Sequence, residues 1–112
     1  MNILLDESLP FGLQPIFEEM TTEHDFKFVQ EEDWGGLKNG KLLTKAQMAY
    51  DVFITCDQNL PHQQHVSSYE IGIVILIGPR NRRQDLEPLV PEAVQRLNEL
   101  SEGDVLEVPH SG

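Results

Sequence analysis

The chain has 112 residues and a formal net charge of −11 at pH 7, and 39% of its residues are hydrophobic. This length suits one domain over residues 1–112, and the acidic balance argues against broad nucleic-acid binding through phosphates. No apolar run approaches the roughly 18 residues of a membrane span, no secretory signal is visible, and Cys56 has no partner for a disulfide, so we expect a cytoplasmic protein without membrane segments.

The first part of the chain predicts two strands with a helix between them. The apolar run over residues 2–6 predicts a buried first strand. From residue 9 to residue 20 apolar side chains recur at helical spacing, which predicts a helix with Ser8 as its N-cap and a kink at Pro15. Polar and apolar residues alternate over residues 25–29, as in an edge strand.

The rest of the chain continues the alternation of helices and strands. Residues 40–50 predict a helix with Asn39 as its N-cap, and the apolar run over residues 52–54 predicts a strand that is buried on both faces. The remaining elements, in order, are predicted to be a short helical turn within residues 60–68, a central strand over 71–77, a long helix over 85–100 and a last strand over 105–108.

Strands that alternate with helices predict an α/β fold with a mostly parallel sheet and helices on both faces. Right-handed crossovers then place the carboxyl ends of the strands on one rim, where open α/β sheets bind their ligands. Asp6 and Glu7 follow the first strand, and Asp57 follows the strand over residues 52–54. We therefore expect these three acids and the segment 78–83 to share that rim.

Carboxylates that lie close together repel one another unless a cation or a proton lies between them. An oxygen-only cluster suits Mg²⁺ or Mn²⁺, which orients a phosphodiester and activates water. The alternative is that Asp6, Glu7 and Asp57 only cap the turns that follow them. A phospho-receiver domain also carries acids at these strand ends, but it needs a Ser or Thr after the fourth strand and a Lys after the fifth, and this sequence has neither.

Two further groups of residues are candidate ligand sites. Arg80, Arg82 and Arg83 form a basic cluster that can bind phosphates bidentately, and the alternative is a solvated loop that balances nearby acids. His62 and His65 have a spacing that can bind a transition metal, but without a third ligand they are better explained as surface residues.

Several segments together resemble the small PIN-like proteins, toxin-like relatives of PIN-domain ribonucleases. The resemblance rests on ILLDESLP at 3–10, WGGL at 34–37, TCDQNLP at 55–61 and LxxLVPxxxxxL at 86–97, in the same order along nearly the whole chain. It implies a three-layer α/β/α PIN-like fold with a mostly parallel sheet of about five strands. It also implies an Mg²⁺- or Mn²⁺-dependent ribonuclease, with RNA, a cognate antitoxin and a second copy of the chain as candidate partners.

The resemblance implies catalytic roles for Asp6, Asp57 and Glu7, with Asp6 and Asp57 as the metal ligands. At the start of the helix after WGGL the family carries an Asp and, two residues on, a Glu, whereas this chain has Asn39 and Lys41. Asn39 still offers an amide oxygen, but a protonated lysine cannot bind a metal. We therefore predict a ribonuclease that these departures weaken; the alternative is a non-catalytic PIN-like module that binds RNA or a protein partner.

Overall fold

The structure is a computed structural model that describes residues 1–109, and it contains a sheet of five strands. The strand order across the sheet is β2-β1-β3-β4-β5, and every neighbouring pair is parallel. Residues 110–112, at the end of the predicted domain, lie outside the described residues. The strands are β1 (Asn2–Leu5), β2 (Asp25–Phe28), β3 (Val52–Thr55), β4 (Gly72–Leu76) and β5 (Val105–Val108).

Helices cover both faces of this sheet. Within residues 1–109 they are α1 (Leu13–Met20), α2 (Asn39–Ala46), α3 (Leu60–Gln63), α4 (Arg83–Leu86) and α5 (Val90–Arg96). One cluster of buried apolar side chains joins the sheet to α1, α4 and α5, and a second joins the opposite face to α2 and α3. Because both faces are covered, every residue of β3 and β4 is buried. The fold is the three-layer α/β/α arrangement that the sequence predicts.

The first helix begins later than the sequence predicts. α1 begins at Leu13 with Gly12 as its N-cap, and the hydroxyl of Ser8, the predicted N-cap, instead donates a hydrogen bond to a carboxylate. Leu9 extends the apolar periodicity because it is buried in the turn before the helix. Pro15 therefore lies in the first helical turn, where a missing N–H leaves no hydrogen bond unmade, and it does not interrupt the helix.

The other helices also differ from prediction at their ends. The N-cap of α2 is Lys38, so the prediction of Asn39 as N-cap is wrong. The helix predicted over residues 85–100 is divided into α4, a 3-10 turn, α5 and a second 3-10 turn, with Pro88 and Pro91 at the starts of the inner segments. No helix within residues 1–109 has both the length and the apolar character needed to cross a membrane.

The outer edge of β2 borders a surface depression of about 620 Å³. Two side chains satisfy the backbone of the edge strand there: Gln14 donates to the Phe26 carbonyl at 2.9 Å, and Glu31 accepts from the N–H of Phe28 at 2.7 Å. Gln14 also donates to Glu31 at 3.0 Å. Unpaired backbone groups on an edge strand can pair with a strand of another chain. We infer that Gln14 and Glu31 protect β2 from such pairing.

Candidate functional site

The carboxyl ends of β1 and β3 open into one cleft. The two strands pair in parallel with Leu5 opposite Ile54, so the chain leaves both strands on the same rim. The cleft has a volume of about 610 Å³, and all three predicted strand-end acids line it. Its polar lining consists of Asp6, Glu7, Ser8, Asn39, Asp57, Gln58, Asn59 and Asn81.

Thr55 connects Asp6 to Asp57. This threonine is fully buried; its hydroxyl donates to Oδ2 of Asp6 at 2.7 Å and accepts from the backbone N–H of Asp57 at 3.0 Å. The Ser8 hydroxyl donates to the same Asp6 oxygen, also at 2.7 Å. Asp6 is only 7% exposed, and a carboxylate buried to this degree needs such donors. The network therefore connects the Asp6 carboxylate to the backbone of Asp57, just beyond the end of β3.

Two further hydrogen bonds hold the Asp57 side chain. Its Oδ1 accepts from the backbone N–H of Asn59 at 3.0 Å, and its Oδ2 accepts from Nδ2 of Asn39 at 3.3 Å. Asn39 is the first residue of α2, so its amide links this helix to the end of β3. A hydrogen-bond donor thus stands where the resemblance places an acid, and Asp57 has a neutral partner instead of a like charge.

Glu7 binds the loop that precedes α2. Its Oε1 accepts from the backbone N–H of Gly36 at 3.0 Å, and Gly36 has a φ of +82°, which glycine adopts without strain. Trp34 anchors the same loop, because its ring meets Tyr50 edge-to-face with 6.1 Å between the ring centroids. The loop therefore orients Glu7 at the cleft.

Tyr50, the residue against which Trp34 packs, makes the stability of the fold depend on pH. Burial, followed by the hydrogen bond to Glu32 and the charges of Glu32 and Glu31, raises the pKa of Tyr50 from 10.0 to about 12. Between pH 10 and pH 12 the unfolded chain releases this proton while the folded chain keeps it, so stability falls as the pH rises through this window.

We expect Tyr50→Phe to lack this loss, which amounts to about 1–2 kcal/mol in the wild type. The measurement is the free energy of unfolding in urea at pH 9.5 and at pH 12. The wild type should lose more stability than the variant between the two values. Equal losses in both proteins would contradict the assignment of the shift to Tyr50.

Cys56 also lines the cleft, but its surroundings do not activate it as a nucleophile. It is 4% exposed, and burial raises the pKa of its thiol, which the hydrogen bond with Ser8 opposes only in part. The thiolate is the reactive form of cysteine, and this site disfavours it. Cys56 therefore acts as a small buried residue whose Sγ lies 3.3 Å from Oγ of Ser8.

Two acids of the cleft have the oxygen donors that a hard cation requires. Among the described residues no three His, Cys, Asp or Glu side chains converge closely enough to hold an ion, and this applies to His62 and His65 as well. Mg²⁺ commonly binds proteins through one or two carboxylates, keeps several waters and completes its coordination with substrate phosphates. Asp6 and Asp57 match this donor chemistry, and within residues 1–109 the Asp6 carboxylate accepts hydrogen bonds at Oδ2 but not at Oδ1.

Of the described segment 80–83, an amide and no guanidinium lines the cleft. Asn81 lines the cleft, whereas the three predicted phosphate-binding arginines do not. Arg82 donates to Asp85 at 2.9 Å, and Arg83 lies 3.6 Å from the carboxylate four residues later. Arg80 is exposed to solvent. The structure therefore brings the predicted acids together but leaves the predicted arginines outside their cleft.

Sequence reasoning missed Thr55, Ser8 and Asn81 as parts of the site. A signal existed for Thr55, because it is the polar residue of an otherwise apolar strand and lies two residues before Asp57. Ser8 lies two residues after Asp6, but its position just before the apolar helical pattern favours its interpretation as a helix N-cap. Asn81 lies among arginines and carries no signal of its own.

No protein-family model, curated protein or solved structure matches this chain. The class of the molecule therefore follows from its geometry. It is a three-layer α/β/α protein with an acidic cleft at the carboxyl ends of two neighbouring parallel strands.

Proposed function

We propose that this chain is a PIN-like, Mg²⁺- or Mn²⁺-dependent ribonuclease of toxin type that acts in the cytoplasm. The observation that supports this most is that Asp6 and Asp57, from separate strands, line one cleft and are joined through Thr55. A divalent ion bound there supplies a Lewis acid for the phosphodiester and lowers the pKa of water. RNA is the substrate, and a cognate antitoxin and a second copy of the chain are the further partners.

Each acid has a separate role in this proposal. Asp6 and Asp57 would hold the ion. The hydroxyls of Thr55 and Ser8 hold the Asp6 carboxylate. The N–H of Asn59 and the amide of Asn39 hold the Asp57 carboxylate. Glu7, which the loop N–H orients at the same cleft, orients the attacking water and accepts its proton. Asn39 donates to Asp57 and adds no negative charge, so we expect weaker ion binding than with an acid at this position.

The test is cleavage of a mixed pool of single-stranded and structured RNA with Mn²⁺. We expect the wild type to cut, EDTA to stop cleavage, and Asp57→Asn to reduce the rate by about tenfold or more, because it removes a charged ligand. Asp25→Asn is the matched control, since Asp25 is exposed at the opposite end of the sheet and should leave the rate unchanged. Equal rates for the two variants would contradict the proposal.

The second candidate function is a non-catalytic PIN-like module that binds RNA or a protein partner. The hydrogen bond from Asn39 to Asp57 favours it, because the amide stabilises this carboxylate without an ion. Under this alternative the wild type does not cut RNA, and Mn²⁺ does not raise its melting temperature. A rise in melting temperature that Asp57→Asn abolishes would favour the ribonuclease instead.

A further inference from the structure

Three of the four lysines of the chain lie on one exposed side of α2, which we call the lysine face. It consists of Lys38, which is the N-cap of the helix, together with Lys41 and Lys45. Residues three and four positions apart are neighbours on a helix surface. At 1.5 Å of rise per residue, the face extends for about 10 Å along the helix.

The charges of the lysine face are not neutralised within residues 1–109. None of its three ammonium groups forms an ion pair there, whereas Lys27 lies 3.9 Å from Glu32. Lys41 and Lys45, one turn apart, repel each other and weakly destabilise the helix. In a chain with a net charge of −11, this exposed group of cations is a local reversal of charge that can attract an anion. The arginines at positions 82, 83 and 96, by contrast, each pair with an acid.

The residues of the lysine face line two depressions in the surface. One depression of about 530 Å³ includes Lys38 and Lys41, and a second of about 360 Å³ includes Lys41 and Lys45. Gly40 lines both depressions, so they adjoin. Of the described residues that line these two depressions none is an Asp or Glu, whereas three acids line the neighbouring cleft. Together the two depressions form a groove along the lysine face. The positive charge of this groove complements an extended anion and not a cation.

The groove leads to the acidic cleft. Asn39, which follows the first lysine of the face, donates to Asp57 in the cleft. Gly36, which lines the groove, donates its N–H to Glu7 in the cleft. An extended ligand bound to the lysine face therefore has one end beside the strand-end acids.

We propose that the lysine face binds consecutive phosphates of single-stranded RNA and directs the strand into the cleft. The proposal rests on the ribonuclease function proposed above, since it specifies the path of that substrate. It gives Lys41 a role in binding the substrate at the position where the resemblance places an acid. An anionic membrane surface would also attract lysines, but it does not account for the continuity between this face and a cleft of acids.

The test is the binding of a short, fluorescently labelled single-stranded RNA, measured by anisotropy in EDTA so that no cleavage occurs. A variant with Lys38→Gln, Lys41→Gln and Lys45→Gln is compared with one that carries Arg80→Gln, Arg82→Gln and Arg83→Gln. Both variants lose the same charge. We expect the lysine variant to bind about tenfold or more weakly and its salt-dependence slope to fall by about 2, at roughly 0.7 per phosphate contact. The arginine variant should bind within about threefold of the wild type.

Exposed Lys→Gln changes on a helix should leave the melting temperature unchanged, and an unchanged melting temperature establishes that a variant is folded. Equal weakening in both variants would reveal a net-charge effect and overturn the proposal. The proposal would also be overturned if the wild type bound no RNA. It would equally be overturned if, in a parallel sedimentation assay, the wild type bound phosphatidylserine vesicles but no RNA. Lysine-dependent binding by a protein that cuts nothing with Mn²⁺ would support the lysine face while the ribonuclease proposal fails. If the lysine variant cleaved RNA as fast as the wild type, the ribonuclease proposal would stand and the proposed role of the lysine face would fail.

Discussion

Thr55→Val should lower the free energy of unfolding by about 3 kcal/mol, although the two side chains have nearly the same shape. The threonine hydroxyl is fully buried, donates to the Asp6 carboxylate at 2.7 Å and accepts from the N–H of Asp57 at 3.0 Å. Valine removes both hydrogen bonds, so the Asp6 oxygen keeps the hydroxyl of Ser8 but loses that of Thr55, and the N–H of Asp57 loses its side-chain acceptor. Each buried polar group without its partner costs about 1–3 kcal/mol.

Urea unfolding measures this loss, and Thr44→Val is the matched control. Thr44 is exposed on α2 and its hydroxyl donates only to the carbonyl of Gly40, so this change should stay within about 0.5 kcal/mol. RNA cleavage by Thr55→Val should also fall, because Asp6 loses one of the two hydroxyls that hold it. A Thr55→Val protein as stable as the Thr44→Val control would show that the hydroxyl does not hold the acids in place.

The strands β3 and β4 could be predicted from the sequence because burial on both faces leaves uninterrupted apolar runs. Val52–Thr55 and Gly72–Leu76 are buried throughout, and both were predicted from such runs. Once β1 and β3 are known to pair in parallel, the meeting of Asp6 and Asp57 on one rim follows from topology. Helix starts were harder, since apolar periodicity does not separate a first helical turn from a buried loop residue such as Leu9.

The side-chain partners in the site could not be predicted in the same way. The sequence shows three arginines close together at positions 80, 82 and 83, and it shows the lysines of α2 as scattered residues. In the structure two of these arginines are neutralised, because Arg82 pairs with Asp85 three residues later and Arg83 pairs with Glu87 four residues later. The same spacing places Lys41 next to Lys45 without an acid between them. Local contiguity in sequence was therefore a poor guide to which charges remain unneutralised.

Asn39→Asp should convert a stabilising contact into a metal-dependent one. The Asn39 amide lies 3.3 Å from the Asp57 carboxylate, so an aspartate there brings two carboxylates together. Without a divalent ion this repulsion should cost about 2–3 kcal/mol, since a close like charge shifts a carboxyl pKa by one to several units. For a domain of this size the melting temperature should fall by roughly 10 °C in EDTA.

Mn²⁺ should reverse the loss, because the pair of carboxylates becomes a better site for a hard cation. At about 100 times its Kd the ion contributes about 2.7 kcal/mol, enough to restore the melting temperature of the wild type. Asn98→Asp, the same change at an exposed residue outside the cleft, should shift the melting temperature by about 1–2 °C and show no response to Mn²⁺. If Asn39→Asp is destabilised in EDTA and Mn²⁺ does not rescue it, the cleft does not bind a divalent ion through Asp57.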